Sequence, residues 1–91
     1  MQQTKSIIVT GKVQGVSFRQ STVSQARQLG LTGTVRNKSD GQSVEIIATG
    51  NEQLLQQLVR WCHTGPRGAN VQSVEVNERP FSEFTMFTII S

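Results

Sequence analysis

Apolar residues bunch and alternate along this chain in a way that marks out short elements. Ser6 to Val13 holds the run Ile7-Ile8-Val9, β-branched and without a helical period, which predicts a strand buried at least partly on both faces. Gly11 inside it permits close approach of a neighbouring backbone. The pattern then breaks at Gln14-Gly15-Val16-Ser17-Phe18-Arg19, a loop. From about Gln20 to Leu29, Val23, Ala26 and Leu29 fall on one helical face. Thr22 with Gln25 fits a weak capping box, and Gly30 suits the position just past the helix end.

Leu31 to Asn37 predicts a second strand and Val44 to Thr49 a third, in which Val44, Ile46 and Ala48 alternate with Glu45, Ile47 and Thr49. Between them Lys38-Ser39-Asp40-Gly41 carries an Asp-Gly hairpin signal. Asn51 is a good N-cap for a second helix with apolar positions Leu54, Leu55, Leu58, Val59 and Cys62, and Gly65-Pro66 ends it. Val71 to Val76 supplies a fourth strand. Phe84 to Ile90 supplies a fifth, after the Arg79-Pro80 break. The order β, α, β, β, α, β with an extra closing strand predicts an α+β, ferredoxin-like split βαβ sandwich, a mainly antiparallel sheet with two helices on one face.

Composition narrows what such a scaffold can do. With 91 residues, the chain predicts one domain, 1–91, which excludes a multi-domain enzyme and leaves little room for an enclosed cofactor site. A hydrophobic share of 35%, with eight glycines besides, excludes a disordered segment. Nine basic against six acidic side chains give +3, which attracts anions: nucleic acid, an acidic membrane surface or a phosphorylated small molecule. The single cysteine excludes an intramolecular disulfide, and Met1-Gln2-Gln3-Thr4-Lys5 leads into the first strand without a signal-type apolar region. A cytoplasmic protein is therefore expected, and with no apolar stretch near the ~20 residues a span requires, no membrane partner.

Candidate chemistry is sparse. His63 and Asp40 stand alone and Cys62 has no second thiol, so no metal-ligand spacing exists and no metal or cofactor is expected. Gly11 to Val16 lacks the Gly-Lys-Ser/Thr ending of a P-loop. Cys62 and His63, adjacent on a helix, point about 100° apart and form no nucleophile–base pair. What remains is Val13 to Arg19, a loop feeding a helix N-terminus. Free backbone N–H groups and the positive end of the helix dipole meet there, and Arg19 adds a fork suited to bidentate phosphate contact. Phe18 can anchor the loop in the core. An ordinary βα turn with a surface arginine would carry the same residues. Asn37, at the end of the second strand, reads first as turn chemistry and only second as a carboxamide that holds a water against a bound phosphate.

Gly11-Lys12-Val13-Gln14-Gly15-Val16-Ser17-Phe18-Arg19 closely resembles the acylphosphatase signature G-x-V-Q-G-V-x-F-R. Leu29-Gly30-Leu31-Thr32-Gly33-Thr34-Val35-Arg36-Asn37, followed by Asp40-Gly41 and Val44-Glu45, is similar to the family's second signature. Gly65-Pro66, Ala69, Val71, Val74 and the closing Phe87-Thr88-Ile89 extend the match over nearly the whole chain. The resemblance implies hydrolysis of acyl phosphates to carboxylate and inorganic phosphate by a metal-independent monomer. Arg19 would bind the phosphoryl group, Asn37 would orient the attacking water, and the backbone N–H groups of Gly15, Val16, Ser17, Phe18 and Arg19 would cradle the oxygens. Inorganic phosphate or sulfate would be a product-like ligand. Three departures stand out: Asp40 to Val44 is one residue longer than the usual hairpin, Thr34 replaces a frequent aromatic, and Gln20 follows the arginine where Tyr is common.

Elsewhere the plain readings are preferred: His63 as a helix-end charge, Cys62 and Trp61 as packing, Phe81, Phe84 and Phe87 as core or edge cover, and Arg36, Arg67 and Lys12 as solvated charges. The rival to an enzyme is a non-catalytic regulatory or nucleic-acid-binding module on the same topology. RNA recognition on such a sheet needs aromatics on the first and third strands, and neither strand has one.

Overall fold

The structure, a computed structural model, describes residues 1–91. Strands β1 (Gln2–Lys12), β2 (Thr32–Asn37), β3 (Ser43–Asn51), β4 (Asn70–Arg79) and β5 (Phe87–Ile89) alternate with helices α1 (Phe18–Gln28) and α2 (Glu52–Thr64). They form one sheet in the order β4-β1-β3-β2-β5, antiparallel except for β2 and β5. This is the expected split βαβ sandwich.

Alternation along the strands sorts the residues into two faces. Ile7 and Val9 stand opposite Ile46 and Val44, and Val35 opposite Ile46. All five are fully buried, in one core with Phe18 and Ala26 of α1 and Leu55, Leu58 and Cys62 of α2. On the other face Arg36 lies opposite Glu45 and donates to it through Nε at 2.8 Å, so it is a cross-strand partner rather than the solvated charge expected. At one end of that face Thr4 and Thr49 share a hydrogen bond of 2.6 Å. Thr49 donates to the Ser82 carbonyl at 2.8 Å and Ser82 N–H donates to Thr4 Oγ1 at 2.9 Å, which ties the segment leading to β5 across the sheet.

Several boundaries differ from expectation. β1 starts at Gln2, not Ser6, and ends before Val13; β4 runs three residues past Val76; and β5 shrinks to Phe87–Ile89. The added residues of β4 are polar because that exposed edge places no hydrophobic demand on its side chains, whereas those of β1, a strand paired on both sides, include Thr4, buried with its hydroxyl hydrogen-bonded to Thr49. α1 begins at Phe18, so the Thr22–Gln25 capping box is wrong: Thr22 lies inside the helix and donates back to the Phe18 carbonyl at 2.8 Å. Asn51 caps α2 as expected, its Oδ1 accepting from Gln53 N–H at 2.8 Å. The longer hairpin leaves the register intact, with Asn37 opposite Val44. The added residue is absorbed in Ser39 to Gln42, closed by Lys38 N–H to the Ser43 carbonyl at 2.8 Å.

Candidate active site

The turn after β1 is shaped by two left-handed residues. Gly15 has φ 76°, and Ser17, with φ 62°, is the one non-glycine residue at positive φ in the chain. That conformation costs a residue with a Cβ roughly 1–2 kcal/mol, so the surroundings must impose it. Phe18 does so: it is 1% exposed, its ring lies 5.3 Å from that of Trp61, and a Cβ on Gly65 would come within 2.6 Å of it. Burial of such a ring is worth about 1.5–3 kcal/mol, enough to hold the turn.

The turn therefore presents its backbone outward. No carbonyl or side chain of the protein accepts a hydrogen bond from the N–H groups of Gly15 to Arg19. Ser17 caps the helix without a side-chain hydrogen bond, and the first turn carries no acidic residue to offset the dipole. The result is a concentration of unspent donors and positive potential at one point.

Asn37 reaches the same place from another element. It shares the parity of Val35 in β2, so its side chain lies on the helix-covered face, whereas its neighbour Arg36 lies on the other. The Asn37 N–H donates to the Ser91 backbone oxygen at 3.4 Å, and Arg19 Nη1 donates to the same oxygen. One acceptor thus links the backbone of Asn37 to the guanidinium of Arg19. Asn37 Oδ1 is buried and has no hydrogen-bond partner in the protein. Arg19, Asn37, Gly15, Ser17 and Phe18 line one cleft of about 340 Å³, with Val13, Gln20 and Ile89 completing its wall.

All the residues singled out from the sequence come together, Val16 excepted. Its N–H belongs to the turn, while its side chain packs against the core. Three contributors had no role assigned from the sequence. Ser91 acts through its backbone oxygen. Ile89 enters the cleft wall only because β5 pairs with β2. Gln14 donates from Nε2 to the carbonyls of Lys38 and Ser43, each at 2.9 Å, acceptors far away in the chain. The plain reading of Cys62 agrees with the structure: it is fully buried and its thiol is pushed up to about 12 by desolvation, so it stays protonated and is no nucleophile. No group of three or more His, Cys, Asp or Glu side chains stands ready to hold a metal ion.

Comparisons with known proteins agree on one family. The acylphosphatase family model matches residues 5–89. An acylphosphatase of Trichormus variabilis is 56% identical over 70 residues, covering 77% of this chain and 68% of the relative. One from Marinobacter nauticus is 52% identical over 82 residues, covering 89% and 88%. Among solved structures, the crystal structure of acylphosphatase from Bacillus subtilis superposes with a TM-score of 0.93 at 37% identity over the full length of both chains.

Proposed function

From the chain's membership of the acylphosphatase family, and so from hydrolysis of acyl phosphates as its reaction, we propose the following division of labour among its residues. The N–H groups of Gly15, Val16, Ser17, Phe18 and Arg19, with the Arg19 guanidinium, bind the phosphoryl oxygens, and Asn37 orients the attacking water. The buried, unpartnered Asn37 Oδ1 carries this reading. A buried acceptor without a donor costs about 1–3 kcal/mol, and a water donating one proton to it removes that cost. Asn37 itself lines the cleft that the phosphoryl group enters.

The chemistry then needs positioning and charge stabilisation. Water oxygen forms a bond to phosphorus as the bond from phosphorus to the acyl oxygen breaks, and the electron pair leaves on the carboxylate. That leaving group has a conjugate-acid pKa of about 4, so it departs without a general acid or a metal. Charge spreads over the three equatorial oxygens, which the preorganised N–H groups and Arg19 meet; one such donor is worth roughly 2.7–4 kcal/mol in comparable sites. In a loose transition state the water keeps its proton until bonding is well advanced, then loses it to a phosphoryl oxygen or to solvent.

The scheme needs no residue from a second protomer, so a monomer would suffice for turnover, and one buried thiol suits the reducing cytoplasm. No helix is long and apolar enough to cross a membrane. Hydrolysis of benzoyl phosphate in the presence of EDTA, with inorganic phosphate as competitive inhibitor, tests the scheme. Turnover that vanishes with EDTA and returns with a divalent cation would overturn its metal-free step.

A further inference from the structure

We propose that Gln14 is a positioning residue that sets the distance between the phosphate-binding turn and the water-holding Asn37. This inference rests on the roles given above to that turn and to Asn37. The two halves of the site belong to separate elements, the turn after β1 and the mouth of the β2–β3 hairpin. Gln14 stands in the turn, directly before Gly15, and both protons of its Nε2 go to the hairpin: one to the Lys38 carbonyl and one to the Ser43 carbonyl, each at 2.9 Å. Those carbonyls belong to the residues that close the hairpin, since Lys38 N–H donates to the same Ser43 oxygen at 2.8 Å. Lys38 directly follows Asn37, so the amide grips the backbone one peptide away from the water-holding side chain.

The hairpin is held stiff from its far side as well. Asp40 accepts from Gln42 N–H and Ser43 N–H at 2.9 Å each and from Ser43 Oγ at 2.7 Å. Ser43 Oγ also lies 3.1 Å from Thr10 Oγ1 of β1. Gln14 therefore grips a braced frame, its planar amide meeting both carbonyls with two donors on a three-carbon reach. The phosphate contacts come from the turn itself and from Arg19, so loss of the clamp leaves binding largely in place and misaligns the water.

Gln14→Met keeps the length and removes both donors. It should lower kcat for benzoyl phosphate by roughly 10-fold to 100-fold, as expected of a reacting group displaced by about 1 Å. KM and the phosphate inhibition constant should stay within about threefold. Because the effect passes through Asn37, Gln14→Met in an Asn37→Ala background should lower kcat little further. An unchanged kcat overturns the proposal. So does a rise in KM and in the phosphate inhibition constant with kcat intact, or a penalty that multiplies fully with that of Asn37→Ala. Should Gln14→Met fail to fold, the wild-type protein decides: the Gln14 side-chain amide protons should exchange with solvent at least ~10-fold more slowly than those of exposed Gln57, and equal rates overturn the clamp. Full kcat in Asn37→Ala, or no turnover by the wild type, would instead fail the parent assignment.

Discussion

A guanidinium and an ammonium carry the same charge but not the same hydrogen bonds. In the proposed scheme Arg19 spends one nitrogen on the Ser91 backbone oxygen and keeps the rest of its fork for phosphoryl oxygens, a division that a single ammonium cannot make. Arg19→Lys should therefore lower kcat/KM for benzoyl phosphate by about 10²-fold or more, in line with loss of one preorganised donor. Near-normal turnover by a folded variant would remove Arg19 from its role. Asn37→Ala deletes the acceptor for the water and should reduce kcat more than it raises KM; a KM effect alone would make Asn37 a binding residue. Both side chains stood out in the sequence through the family's signatures. The sequence left undecided whether Asn37 was turn chemistry. Pairing parity settles its face, because a carboxamide on the Arg36 side of β2 would point away from the cleft.

At the level of elements, the hairpin shows how an inserted residue is accommodated. The family resemblance flagged Asp40 to Val44 as too long, and the structure answers with an Asp40 carboxylate that gathers three donors and closes the wider turn. Those hydrogen bonds, led by Gln42 N–H and the Ser43 hydroxyl, hold the Asp40 carboxyl below its ordinary range. A depressed carboxylate contributes its stability above the unfolded value of about 3.9 and loses it as pH falls through the lower folded value. Asp40→Asn should accordingly be less stable than wild type at pH 7, with the gap in Tm closing below about pH 4. A gap that does not depend on pH would show that the charge contributes nothing. The misplaced start of α1 has a physical cause of the same local kind. Ser17 takes the cap position through a left-handed backbone that Phe18 packing enforces, and propensity carries no trace of it. Gln14 was quoted as part of the first signature, but its carbonyl partners on Lys38 and Ser43 have no side-chain identity to read.

Across the whole molecule, the site is held by the last strand as much as by the first. β5 joins β2 in parallel at Gly33, Thr34 and Val35, Phe87 drives that pairing from the core at 1% exposure, and Arg27 secures it with a 3.0 Å hydrogen bond to the Phe87 carbonyl. Phe87→Ala should cost about 3–5 kcal/mol in urea unfolding, a large part of the ~5–15 kcal/mol available to a small domain. It should also weaken catalysis by loosening the Ser91 contact to Arg19; a variant as stable as wild type would contradict the placement of Phe87 in the core. The outline of this architecture was legible because the order of strands and helices admits few solutions. The lengths of β1, β4 and β5 were not, since polar residues such as Gln2 to Lys5 and Asn77 to Arg79 read alike inside and outside a strand. The partnership of Gly33 with Phe87, so distant along the chain, closes a long loop before it yields any contact. Such closures are slow, so the pairing of the last strand with the second weighs on how fast this chain reaches its active form, and recovery of acyl phosphate hydrolysis during refolding reads the assembly of the whole sheet.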